Sequence, residues 1–92
     1  MIFMRLGMTS IKYEKVICEW IDIQGGDSWN TLDDVVNLKP ATCHTLGYLF
    51  SKDEQHTKIF GSFSLNDDGS CDFGDVVCIP SSCVVKLEKI GN

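Results

Sequence analysis

Residues 76–90 read Val-Val-Cys-Ile-Pro-Ser-Ser-Cys-Val-Val-Lys-Leu-Glu-Lys-Ile, two apolar runs with a short polar linker between them. Both runs are rich in β-branched residues, which is typical of strands. The linker Pro80-Ser81-Ser82 is long enough only for a tight turn. The segment therefore predicts a fourth strand over residues 73–79 and a fifth over residues 83–90.

Three further strands are predicted upstream from alternating or β-branched stretches, at residues 16–23, 41–51 and 56–65. The sequence Asn-Asp-Asp-Gly-Ser at residues 66–70 is the strongest turn signal in the chain, because these residue types tolerate positive φ. Gly47, in the middle of the second strand, marks a bend, a bulge or a close backbone approach. Five short strands with tight turns predict a mainly β protein, a small five-stranded antiparallel barrel.

One short helix is predicted between the first two strands, within residues 28–40. Thr31 and Asp34 have the spacing of a capping pair, and Pro40 ends the segment. A helix of about two turns is marginal alone, so we expect its apolar side chains to pack on the sheet. Those side chains are Leu32, Val35 and Val36, flanked by Trp29.

Length and charge limit the chain to one domain without a strong affinity for anionic polymers. Residues 12–92 are interpreted as a single small β-barrel domain, and residues 1–11 as a loose N-terminal extension with Met8 as an alternative start. Thirteen acidic and eight basic residues give a net charge of −5, which argues against general nucleic-acid binding and against acidic membranes. The chain has no signal-peptide pattern and no apolar run of about 20 residues, so a cytoplasmic location is expected.

Five cysteines are an odd number for a disulfide framework, and none is part of a Cys-x-x-Cys pair. We expect reduced structural thiols and no metal site, since Cys43-His44 is the only Cys/His adjacency. The Asp67-Asp68-Gly69 turn lacks the closing glutamate of a calcium loop. No phosphate loop, paired catalytic carboxylates or nucleophile elbow occurs, so we expect a non-catalytic protein without a cofactor.

The candidate ligand-binding residues are those that could stack on a ring or donate to an anion. Trp29 follows the Gly25-Gly26 break in a predicted loop, where a ring can stay accessible. The Ser81-Ser82 turn offers donors for a small anion, with lysine charge nearby. The complete predicted set is Trp29, His44, Tyr48, Lys52, Ser81 and Ser82.

The chain resembles small uncharacterised accessory proteins encoded by tailed bacteriophages, with an Sm-like or SH3-like small β-barrel. The resemblance runs from Lys12 onward and rests mainly on the segments Lys39-Pro40-Ala41, Gly47-Tyr48-Leu49 and Ile79-Pro80-Ser81-Ser82-Cys83-Val84. It also includes Trp20 with Asp22, and Trp29. It implies a single 3₁₀ turn between the last two strands. Residues 61–68 end in acidic side chains where RNA-binding Sm proteins are basic, so the resemblance does not extend to RNA binding.

Two classes of function follow as hypotheses. The first is a phage-encoded counter-defence protein in the host cytoplasm, which sequesters a small immune nucleotide at subunit junctions or binds and inhibits a host protein. The second is a structural or assembly factor of a phage particle or replication complex. In both, we expect a homo-oligomer, because self-pairing covers the exposed edge strand of a small barrel.

Overall fold

The computed structural model describes residues 2–6, 9–11, 13–26 and 28–91. Its seven strands and one α-helix follow the chain as β1 (Ile2–Leu6), β2 (Thr9–Ile11), β3 (Lys15–Asp22), α1 (Leu32–Asn37), β4 (Ala41–Lys52), β5 (His56–Leu65), β6 (Cys71–Pro80) and β7 (Val84–Lys89). A 3₁₀ helix at Ser81–Cys83 joins the last two strands. The mainly β composition, the five principal strands, the short helix and the 3₁₀ turn predicted from the sequence are confirmed.

Five antiparallel strands form one open sheet in the order β6-β5-β4-β3-β7. The edge strands β6 and β7 are consecutive in the chain, and the span from Pro80 to Val84 is at most about 14 Å. In a flat sheet, the first and fifth strands would lie about 19 Å apart. The sheet is therefore bent, so that its two edges approach each other at the 3₁₀ turn. Closure into a barrel stays a prediction.

The inner face of the bent sheet holds a small apolar core. Its buried members come from three strands, β3, β5 and β6, and are Val16, Cys18, Ile59 and Ile79. Trp20 packs against this core half-buried, and its Nε1–H donates to Thr45 Oγ1 at 2.9 Å. The predicted placement of Trp20 on the face of Val16 and Cys18 is thus confirmed.

Gly47 is the point of closest approach between β4 and β5. A Cβ at this position would lie 2.6 Å from the carbonyl oxygen of Phe60 and 2.8 Å from Ile59 Cγ2. No L side chain fits there without backbone movement. Of the three alternatives for Gly47, the close backbone approach is the one found.

The edge strand β6 has an irregular backbone at Asp75, whose φ of 53° is in the left-handed region. The Asp75 carboxylate accepts a hydrogen bond from Ser62 Oγ at 2.8 Å. Aspartate is one of the few residue types other than glycine that occupy this conformation, and here its carboxylate is also held by the neighbouring strand. The outermost strand is therefore kinked near its middle.

A separate two-stranded antiparallel sheet precedes the domain, with Ile2 opposite Ile11 and Leu6 opposite Thr9. These residues belong to the segment predicted as an N-terminal extension. The alternative start at Met8 lies outside the described residues.

Candidate functional site

The most exposed apolar segment is the arm, defined here as residues 23–26 and 28–40, which connects β3 to β4. It leaves the sheet where Asp22 pairs with Ala41. Connections of this length in a small domain are usually functional. The arm contains α1 and the apolar side chains that were expected to pack on the sheet, namely Leu32, Val35 and Val36 with Trp29.

A capping box holds α1 in place. Thr31 Oγ1 accepts from the Asp34 amide at 3.1 Å, and Asp34 Oδ2 accepts from the Thr31 amide at 3.0 Å. These hydrogen bonds hold the pKa of the Asp34 carboxyl below its usual value. The capping pair predicted from the sequence is confirmed, and its two hydrogen bonds satisfy two amide donors at the start of α1.

The prediction that α1 packs on the sheet is wrong, because every residue of the helix is exposed. Trp29 is fully exposed, at 102%, and Leu32 is 78% exposed. The remaining exposed apolar residues of the arm are Ile23, Val35, Val36 and Leu38. Helical spacing predicts that one face is apolar but not what covers it, and in the described structure the apolar stripe of α1 is unpaired.

The apolar side chains of the arm have helix-face spacing. Within α1, Leu32, Val35 and Val36 are three and four residues apart and so share one side of the helix, while Trp29 precedes the N-cap Thr31. Apolar anchors with this spacing are how short amphipathic helices bind in a groove of a partner. Asp33 lies in the first turn beside this stripe. The arm thus presents apolar anchors with acidic neighbours.

A second apolar feature, the aromatic surface, lies on the outer face of the sheet. Phe60 is buried there, although its neighbour Ile59 belongs to the inner core. Phe73 lies 4.8 Å from Phe60, and Tyr13 lies 5.2 Å from it, centroid to centroid. The six rings in mutual contact are Tyr13, Tyr48, Phe50, Phe60, Phe63 and Phe73.

The aromatic surface contains a shallow hollow of about 150 Å³. Its lining residues, defined here as the aromatic hollow, are Phe50, Lys58, Phe60, Phe73 and Val76. Phe50 and Val76 are 42% and 54% exposed, so the rim of the hollow is open apolar surface. Lys58 is the charged member of the lining.

A charged stripe crosses β4, β3 and β7 on their outer faces. His44 Nε2 lies 3.3 Å from Glu19 Oε1, and Lys86 Nζ lies 2.8 Å from Glu88 Oε1. The hydrogen bond and charge of Glu88 raise the pKa of the Lys86 ammonium. Together with Ile17, these four side chains line an open hollow of about 180 Å³. The stripe thus consists of one contact between β4 and β3 and one ion pair within β7, all on exposed or half-exposed side chains.

The amide and the hydroxyl of Ser81 both donate hydrogen bonds to other residues of the chain. The Ser81 amide donates to the Gln55 carbonyl at 3.0 Å, and its hydroxyl donates to the Asp53 carbonyl at 2.8 Å. The same hydroxyl lies 2.9 Å from the hydroxyl of the buried Thr57. Ser81 therefore ties the 3₁₀ turn to the β4–β5 turn, and an anion at this turn would rely on Ser82.

The predicted site residues occupy several separate places. Lys52 ends β4 beside the turn that Ser81 contacts, and its charge counteracts the burial that raises the pKa of the Cys18 thiol. His44 and Tyr48 share the outer face of β4, where His44 joins the charged stripe and Tyr48 the aromatic surface. Trp29 lies in the arm. The ligand-binding role of these residues stays a prediction.

Sequence reasoning missed Glu19 as the partner of His44, and it missed the aromatic surface. The signal for the first is the pairing of β3 with β4, which sets Glu19 opposite His44. The signal for the second is the alternation itself, which already placed Phe60 on the face opposite Ile59. What alternation does not reveal is that a bent sheet can bury residues on both faces.

No helix in the described ranges, 2–6, 9–11, 13–26 and 28–91, is long and apolar enough to cross a membrane. Comparison with protein-family models, with curated proteins and with solved structures finds no match for this chain.

Proposed function

We propose that this protein is a non-catalytic binding protein, and that the arm is the element with which it binds another protein. The observation that carries this proposal is the full exposure of Trp29, just before α1, together with the high exposure of Leu32 in the capped helix itself. A preformed helix with apolar anchors binds at low cost in conformational entropy. The arm therefore fits a partner with an apolar hollow and a basic side chain at its rim.

A protein partner is favoured over a nucleotide by the charges of the arm. Asp33 and Asp34 lie close to Trp29 in the chain and would repel phosphate groups near a base stacked on that ring. The overall charge of −5 acts in the same direction. A basic rim on a protein would instead be attracted to this acidic segment.

A non-catalytic role is supported by the surroundings of His44. The hollow that contains the His44–Glu19 pair is lined by aliphatic and charged side chains, and no hydroxyl or thiol is among them. His44 is also largely exposed, so water would compete for any proton it transfers. The pair is better explained as a cross-strand hydrogen bond between side chains.

The architecture and origin form part of the same proposal. The strand order, with edge strands joined by a 3₁₀ turn, supports an SH3-like or Sm-like barrel. The resemblance to phage accessory proteins makes host proteins in the host cytoplasm candidates for the partner, with counter-defence as the role. A structural or assembly role is the second candidate, and it is favoured by the presence of an arm and an aromatic hollow on one chain.

The proposal is tested by capture of host proteins with chemical cross-linking, using the full chain and single variants. Trp29→Ala and Leu32→Asp remove apolar anchors from the arm, while Val85→Asp changes an exposed apolar residue of β7 as a matched control. We expect a partner that the wild type and Val85→Asp retain and that both arm variants lose. Equal capture by all four proteins would refute the role of the arm.

A thermal-shift series with mononucleotides and cyclic dinucleotides tests the nucleotide alternative. We expect no change in melting temperature for any of them. A shift that Trp29→Ala abolishes would replace the protein partner with a nucleotide.

A further inference from the structure

We infer that the protein surface bound by the arm is the aromatic hollow of a second copy of the same chain, so that two copies exchange arms. This inference rests on the proposed role of the arm as a protein-binding element. It identifies the partner, and it pairs two exposed apolar features of the described structure.

The chain exposes more surface than a compact domain of its mass. The accessible surface amounts to 6951 Å², whereas a folded monomer of 10.3 kDa is expected to expose about 5,400 Å². The excess of about 1,600 Å² lies within the range that one subunit of an obligate homodimer buries, about 1,000–2,500 Å². The chain thus has enough spare surface for a stable dimer.

The arm and the aromatic hollow lie toward opposite ends of the β3–β4 hairpin. The arm leaves where Asp22 pairs with Ala41, and the aromatic surface begins where Lys15 pairs with Tyr48. The eight residues of β3 separate these ends by about 23 Å. Two copies placed antiparallel would therefore set each arm beside the hollow of the other, a twofold arrangement that closes on itself.

The two surfaces match in chemistry as well as in position. The arm offers Trp29, Leu32 and Val36 with acidic residues beside them, and the hollow offers open aromatic rings with Lys58 in its lining. An Asp33–Lys58 contact would give the apolar contact a preferred orientation. Burial of a tryptophan among aromatic rings is a common energetic centre of protein interfaces.

The test is the mass in solution of the full chain and of single variants, measured by light scattering after size exclusion. We expect the wild type and Val85→Asp at about twice 10.3 kDa. We expect Leu32→Asp, in the arm, and Val76→Asp, in the hollow, at the mass of one chain. Wild-type protein that stays at the mass of one chain overturns the inference.

A mixing experiment separates arm exchange from loss of folding. In a mixed dimer of Leu32→Asp and Val76→Asp, the intact arm of one chain meets the intact hollow of the other, and one of the two contacts is restored. We expect dimers in the mixture, although each variant alone is monomeric. Absence of rescue, or a dimer lost in Leu32→Asp but kept in Val76→Asp, overturns the exchange and points to another arm contact.

Failure of this inference can be distinguished from failure of the proposed function. A monomeric wild type whose arm still captures a foreign protein removes the inference and leaves the proposed function standing. A dimer that neither arm variant disturbs, together with unchanged capture, removes both.

Discussion

Two glycines of this chain have opposite surroundings. A Cβ at Gly47 would meet the backbone carbonyl of Phe60, whereas a Cβ at Gly25, in the arm, would meet nothing within 4 Å. The first glycine is required by the contact between β4 and β5. No contact in the described structure requires the second glycine. Replacing each glycine with alanine therefore separates the steric clash at Gly47 from the general effect of losing a glycine.

We predict that Gly47→Ala lowers the free energy of unfolding by about 1–3 kcal/mol, because the added methyl group must push apart two paired strands. Gly25→Ala should change it by less than about 0.5 kcal/mol. Urea denaturation followed by tryptophan fluorescence measures both. Equal stabilities for the two variants would mean that β4 and β5 do not approach as closely as described.

Asp34 is the titratable residue on which the arm depends. Its carboxylate accepts the Thr31 amide, and its own amide is bonded to the Thr31 hydroxyl. Because hydrogen bonding in the folded arm lowers the pKa of Asp34, its stabilising effect is complete above the unfolded pKa of about 3.9. The effect is lost as pH falls through the lower pKa of the folded arm.

We therefore predict that α1 frays in acid and is unchanged between about pH 5 and about pH 8, because this range begins about one unit above the ordinary aspartate pKa. NMR titration of the Val35 amide should give a midpoint below the usual aspartate value. Asp34→Asn should abolish this transition. A midpoint at or above the ordinary value would contradict the capping geometry.

At the scale of elements, the junction of β6, the 3₁₀ turn and β7 depends on one hydroxyl. Ser81 bonds the Asp53 carbonyl and the buried Thr57 hydroxyl, while its neighbour Ser82 is exposed. Loss of the Ser81 hydroxyl would leave the hydroxyl of Thr57, which is buried away from water, without this hydrogen-bond partner. The turn predicted as an anion site has at least one structural serine.

We predict that Ser81→Ala costs about 1–3 kcal/mol of unfolding free energy and that Ser82→Ala costs less than about 0.5 kcal/mol. Ser82→Ala is the control for Ser81→Ala, because the two serines are adjacent in the same 3₁₀ turn and undergo the same substitution. If Ser82→Ala were the more harmful change, the hydrogen bonds of Ser81 could not be the link between the two turns.

Local sequence patterns predicted the strands and the helix of this fold correctly, but they did not predict which of these elements contact one another. Alternation predicted residues 56–65 as a strand, and the Thr31–Asp34 spacing predicted the cap, because both depend only on neighbouring residues. The exposure of α1 was not predictable in this way, since a helical stripe indicates that a face is apolar and not what covers it. The His44–Glu19 pair likewise depends on strand register, which short-range patterns leave open.

On the scale of the whole molecule, the chain is extended for its length. Its radius of gyration is 17.6 Å, against about 12 Å for a compact domain of this size. The arm is one contributor, since its apolar side chains contact solvent more than protein. A chain of this shape has a small apolar core and a large exposed surface that is available for contacts with another molecule.

We predict that the melting temperature rises with protein concentration, by several degrees for a hundredfold increase, because mass action stabilises a dimer whose subunits fold together. Leu32→Asp should melt at the same temperature over that concentration range. A wild type that shows no dependence would indicate that a single chain accounts for the stability.

The kinked backbone at Asp75 has a consequence for how many copies can join. An outermost strand with straight, unpaired amides is a template onto which further chains add without limit, as in fibrils. Here the left-handed residue and its carboxylate interrupt that template in the middle of β6. Addition of further chains to the β6 edge is thereby disfavoured.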